Sequence, residues 1–218
     1  MSYISGSRAY SRAEYVSDAI VHASGIGAAL VGGPVMIAVT ALWIGEPALV
    51  AAVAVYFATG LAMWSFSAAY NLLQRPGWIE RLRRLDQSAI YFKIAGTYTP
   101  FAILSAGQGA FLVAIWSVAA LGALMILVSA RYKWLAIPLY LGLGWAGAVW
   151  GGPLVSGLSP AGFWLLASGG LIYSSGIAFL LWHKLPFHNT IWHVFVFLGS
   201  LACYAAIAAE LWVRANPV

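Results

Sequence analysis

Residues 81–101 read RLRRLDQSAIYFKIAGTYTPF: a basic cluster of Arg81, Arg83 and Arg84 ends at Asp86 and gives way to an apolar run with one further charge, Lys93. Charge is scarce in the rest of the chain, where Asp, Glu, Lys and Arg make up 8% of 218 residues. A soluble domain carries about 25%. An ionised carboxylate or ammonium in an apolar helix is costly in hydrocarbon, so such groups are placed where they face partners or water. The stretch predicts a membrane helix entered from its charged end, with Asp86 as a site residue.

The composition around it fixes the class. Hydrophobic residues are 62% and aromatics 15% of the chain, and mean hydropathy is +0.86. No soluble domain of this size needs so much apolar surface, and the pattern is that of a polytopic membrane protein. The net charge of +5 follows membrane topology, since no basic run is interleaved with a soluble fold that would bind nucleic acid. Cys203, the single cysteine, excludes an intrachain disulfide and a cysteine-rich metal site. The N-terminal residues Ser5, Arg8, Arg12, Glu14 and Asp18 do not resemble a signal peptide, so the first span is expected to insert uncleaved.

Cut at its charges, prolines and glycine-rich breaks, the chain yields seven apolar stretches: Ile20 to Ile44, Ala48 to Leu72, Ser88 to Ser105, Ala110 to Ala130, Trp134 to Trp150, Ala161 to Trp182 and Ile191 to Val213. Each is near the roughly 20 residues that span a bilayer core. Short connections predict one all-α bundle of seven transmembrane helices, a single domain over residues 1–218 with an N-terminal arm at 1–19. Arg8, Arg12, Arg75, Arg81, Arg83, Arg84, Arg131, Lys133 and Lys184 all fall on one set of connections, and the loops around Gly45 to Pro47, Ala106 to Gly109 and Gly151 to Pro160 carry no Lys or Arg. The positive-inside rule then places the N-terminus in the cytoplasm and the C-terminus outside.

Sorted by depth, polar residues gather at the cytoplasmic ends. Glu14, Ser17, Asp18 and His22 lead into the first span, Ser67, Tyr70 and Asn71 close the second, Asp86 opens the third, and His188, Asn189 and His193 open the seventh. Ser67 and Asn71 are four apart, as are Asn189 and His193, and Glu14, Asp18 and His22 step by four, so each set shares a helix face. Side chains from several helices meeting at one depth are how bundles build sites. One reading is a polar pocket holding a metal ion and water, with Asp86 as hydrogen-bond acceptor or general base and Ser67 as orienting donor. The other is that these groups cap helix ends, complement helix dipoles or meet headgroups.

Lys93 lies seven residues after Asp86, about 10 Å further along the axis on nearly the same face. It is read as facing the bundle interior, with snorkelling toward headgroups as the alternative. The tryptophans Trp43, Trp134, Trp150, Trp164, Trp182 and Trp212 fall near helix ends as an interfacial belt. Glycines such as Gly25 and Gly176 are read as close-packing positions.

RRLDQSAIYFKIAGTYTPF, HNTIWHVFVFLGS, SAAYN and EYVSDAIVHASGIG together resemble the hemolysin III group of the progestin and adiponectin receptor (PAQR) family over essentially the whole chain. The resemblance implies seven transmembrane helices in the bacterial inner membrane with a cytoplasmic N-terminus. It also implies a zinc ion held by three histidines, with an aspartate and a serine beside its water. Ser67, Asp86 and His193 match that pattern, but Asn71 and Asn189 stand at two of the three histidine positions. A neutral amide oxygen suits zinc poorly. Either the metal is lost, or His188 or His22 substitutes; His183 is read as a loop or headgroup residue.

Three functions follow as expectations. The first in rank is a non-catalytic membrane protein of lipid sensing or membrane homeostasis, with membrane lipids as partners, a degenerate metal site, and Asp86, Lys93 and His193 in a fixed polar network. The alternatives are a metal-dependent lipid amide or ester hydrolase resembling ceramidases, and a pore-forming hemolysin, which the short outer loops and few deep charges support little.

Overall fold

A computed structural model describes residues 11–73, 75–105, 108–129 and 133–216. Among the described residues every regular element is an α-helix, in the order α1 (Arg12–Trp43), α2 (Pro47–Leu73), α3 (Ile79–Leu104), α4 (Gly109–Val128), α5 (Lys133–Trp150), α6 (Gly152–Ser156), α7 (Pro160–Leu181) and α8 (His188–Ala215). Five of them, α1, α2, α4, α7 and α8, are long and apolar enough to cross a membrane, and α5 supplies a shorter apolar segment, Leu135–Trp150. The chain is a multi-pass membrane protein. Arg8 and Arg131, which contribute to the charge asymmetry, lie outside the described residues.

Helix boundaries depart from the apolar stretches where polar residues continue a helix into its surroundings. Helix α1 starts at Arg12, inside the stretch expected to be an arm, because a capping box nucleates it: Ser11 Oγ accepts from the Glu14 backbone and Glu14 Oε2 accepts from the Ser11 backbone. Helix α3 starts at Ile79, nine residues before the apolar stretch, because Glu80 pairs with Arg83 and Arg84 one turn on, at 2.7 and 3.3 Å. The stretch read as a loop after Trp150 folds in part into the short helix α6.

Sequential helices pack as neighbours, α1 on α2, α2 on α3 and α3 on α4, while α8 closes the ring by packing on both α7 and α1. Helix α3 is central, touching α2, α4, α5 and α8, which explains why its apolar half is the most deeply buried run in the chain. Tyr91, Phe101, Val53, Leu49 and Ile207 anchor the core. At the end carrying Gly45, Glu210 of α8 accepts both the backbone N–H and the hydroxyl of Ser159, at 2.9 and 2.7 Å, fixing the start of α7. Arg214 and Glu46 form an exposed pair at 2.6 Å on the same end.

Candidate functional site

The structure brings several of these polar residues together, at the end of the bundle where α1 and α8 begin and α2 ends. Glu14, Asp18, His22, Ser67, Asn71, Thr190 and His193 are all buried there. Glu14 joins the two chain segments: besides capping α1, its Oε1 accepts the Phe187 backbone N–H at 2.9 Å. Phe187 takes a left-handed conformation, φ 59°, that turns the chain into α8.

Asp18 is the acceptor hub. Thr190 Oγ1 donates to Oδ1 and Asn189 Nδ2 to Oδ2, both at 2.8 Å. A carboxylate only accepts, so the single Thr190 proton goes to Asp18; Ser17 Oγ lies 2.9 Å from both the Glu14 carbonyl and Thr190 Oγ1, and its one proton is shared between these two acceptors. Asn189 gives its second N–H to Asn71 Oδ1 at 3.0 Å. Asn71 in turn donates to the Ser67 carbonyl at 2.9 Å and approaches its hydroxyl at 3.3 Å.

Ser67 is the centre of the cluster. Its Oγ lies 3.1 Å from His22 Nε2 and 3.2 Å from His193 Nε2. Proton bookkeeping assigns the roles. His22 Nδ1 sits 2.7 Å from the Asp18 carbonyl, which only accepts, so neutral His22 carries its proton on Nδ1 and presents Nε2 as an acceptor to Ser67, whose single proton is shared between His22 and the Asp86 carboxylate. His193 Nε2 must then donate to Ser67. That leaves His193 Nδ1, 3.7 Å from Asp18 Oδ1, with no hydrogen-bond partner among the described residues. The two imidazoles stand edge to face, centroids 4.3 Å apart.

Asp86 is half-buried on α3, facing Ser67 and His193. Tyr70 looks onto the same flank, toward Asp86 and Arg83. Outside the apolar segment, the hydrogen bond from Arg83 holds the Glu80 carboxyl below its usual range. Arg84 donates to the Leu127 carbonyl at 2.9 Å, tying the start of α3 to the end of α4.

Two residues go elsewhere. His188 turns to His183, which lies in the loop before α8 as expected, ring centroids 5.5 Å apart. Lys93 is buried with Nζ 3.4 Å from the Tyr56 ring centroid. It faces inward as expected, but among the described residues no carboxylate, Asp86 included, lies within 4.0 Å of it. Sequence reasoning gave no role to Thr190 or Trp64. Thr190 was legible as a neighbour of Asn189; the Trp64 ring, edge-on to His22, had no sequence signal.

The donor set does not match a zinc centre. Among the described residues no three His, Cys, Asp or Glu side chains converge in a way that could hold a metal ion. The point on which both Nε2 atoms converge is occupied by the Ser67 hydroxyl, and the Asn71 amide oxygen is bonded to Asn189.

A family model described as Haemolysin-III related matches residues 11–204. The chain is similar to Hemolysin-3 of Bacillus cereus, 35% identical over 199 residues, which cover 89% of this chain and 90% of that protein. It is also similar to the Hemolysin-3 homolog of Bacillus subtilis (strain 168), 35% identical over 200 residues, 89% of this chain and 92% of the relative. The Monocyte to macrophage differentiation factor of Homo sapiens is 33% identical over 135 residues, 58% of this chain and 54% of that protein. An all-helical membrane chain matched over residues 11–204 by this family's model, and aligned over 89% of its length with each of two bacterial Hemolysin-3 proteins, is a member of the haemolysin III-related family.

Proposed function

We propose that this chain crosses the cell membrane seven times, with its N-terminus in the cytoplasm, and that its polar cluster reports the state of the surrounding lipid without a catalytic metal. One observation carries the reading: a single hydroxyl, Ser67 Oγ, is shared by His22, His193 and Asn71, so the groups that would ligate a metal are bonded to one another. Apart from His193 Nδ1, the network is paired in one arrangement of α1, α2 and α8 and broken in others, and buried polar groups left unpaired are costly. A lipid environment that shifts those helices would therefore act on it.

The test is hydrogen exchange of residues 14–22 and 187–193 in nanodiscs of neutral or anionic lipid. Lipid-dependent protection in wild type that vanishes in Asp18→Asn supports the reading; protection indifferent to lipid in both sinks it. Topology is tested by impermeant labelling of single cysteines at Gly77 and Gly45 in a Cys203→Ser background, with Gly77 expected on the cytoplasmic side.

Asp86 beside Ser67 and His193 supports the second reading, a lipid amide or ester hydrolase. Near-stoichiometric zinc in protein never exposed to chelator, together with zinc-dependent product release from ceramide that is lost in Asp86→Ala, would put that reading first.

A further inference from the structure

Beyond Trp64 from the polar cluster lies a cavity of about 240 Å³ between α1, α2, α3 and α8. Its wall is aromatic and glycine-lined, with Tyr56, Phe57, Gly60, Trp64 and Tyr204 around one charged group, Lys93. Lys93 is 5% exposed, so its ammonium has left water. A buried cation is normally paired with a carboxylate or fully hydrogen-bonded. Here the Tyr56 ring face is the contact at Nζ, and the Tyr56 hydroxyl is committed to the Ser200 carbonyl at 2.9 Å. The neighbouring Cys203 thiol is buried and weakly polar. An ammonium has three N–H donors, and one aromatic face leaves most of that capacity turned to the cavity.

Val31 and Leu201, 68% and 42% exposed, also line the cavity, so it opens on the outer surface of α1 and α8, the surface an apolar chain would approach from within a bilayer. The volume is below the roughly 300–1,000 Å³ of a pocket that encloses a whole drug-sized ligand. It fits a small head and its first methylenes, with the remainder left in lipid. A single lysine is a point charge without the bidentate fork that selects phosphate in arginine sites. We propose that this cavity binds a carboxylate-headed amphiphile, the acid group on Lys93 and the alkyl chain passing between Val31 and Leu201. The site is separate from the polar cluster and stands whether or not that cluster senses lipid.

The experiment is equilibrium dialysis of radiolabelled decanoate against the full chain in detergent, with methyl decanoate, decanol and decyl phosphate as competitors. Saturable binding of one decanoate per chain is expected, weakened roughly tenfold or more in Lys93→Met and kept in Lys93→Arg, because the charge-assisted contact is the one lost. Ala29→Phe, which fills the cavity from α1 and leaves Lys93 in place, is expected to abolish binding. If methyl decanoate or decanol competes as well as the acid, or if folded Lys93→Met binds unchanged, the proposal fails. Tighter binding of decyl phosphate overturns the carboxylate assignment. Should the variants not fold, the acid against ester comparison on wild type decides alone.

Discussion

The indole of Trp64 stands at 87° to the imidazole of His22, ring centroids 5.7 Å apart, while lining the Lys93 cavity with the same side chain. One residue of α2 thus separates the polar cluster from the apolar cavity and touches both. Its position is set by Gly25, where even a methyl group would overlap the indole.

Gly25→Ala is expected to displace Trp64 and disturb both sites at once. Overpacking of this kind costs about 1–3 kcal/mol, read as a lower melting temperature in detergent. Gly27→Ala, with open space at its Cβ position, is the control and should leave stability near wild type. Equal melting of the two variants would contradict the packing described.

Ser67→Ala removes the proton shared between His22 Nε2 and Asp86 and the oxygen to which His193 Nε2 donates. Leaving such groups unpaired costs roughly 1–3 kcal/mol each, so a marked loss of thermal stability is expected. In wild type, ¹⁵N NMR should find the His22 proton on Nδ1; a proton on Nε2 alone would refute the assignment.

Asp18→Asn replaces an acceptor of two side-chain donors with a group that itself donates. The hydrogen bonds to the charge, each worth about 1.5–3 kcal/mol, weaken, and the start of α8 should exchange its amides faster while α4 is unchanged. Uniform acceleration along the chain would indicate global unfolding instead.

Glu80 gives a small acid dependence. Its carboxyl is held low by Arg83, so the pair contributes above the ordinary carboxylate pKa and its contribution is lost as pH falls through the lowered folded value. Because Glu80 is exposed the effect is under about 1 kcal/mol. The difference in melting temperature between wild type and Glu80→Gln should shrink as the pH is lowered, and a difference that grows would reverse the sign.

Glu210→Leu strips the Ser159 backbone N–H and hydroxyl of their acceptor. With Glu210 5% exposed, the loss is on the order of 1–3 kcal/mol. Fraying is expected at the first turn of α7, measurable by exchange at residues 160–163.

Much of this was legible in the chain alone. That the apolar stretches beginning at Ala48 and Ala110 form helices follows from the segments themselves, because desolvating a backbone in lipid demands a helix whatever its neighbours are. The four-residue steps of Glu14, Asp18 and His22, and of Asn189 and His193, set their shared faces for the same reason: helix geometry is local. The motifs also placed Ser67 and Asp86 at one depth.

What the tertiary structure decided is which way each helix turns and who meets whom. Lipid tails and protein neighbours are equally apolar, so hydropathy does not encode the rotation of α2 that sends Ser67 to two imidazoles and Trp64 to Gly25. Nor could it show that His188 faces His183, or that Lys93 sits on Tyr56 far from the acid seven residues before it. Those assignments depend on close packing between residues as distant as Asp18 and Thr190, whose hydrogen bond spans 172 positions of sequence. The sequence determined the helices and the depth of their polar groups; packing alone decided the partners, because a hydrogen bond is a property of two side chains in contact and not of either stretch by itself.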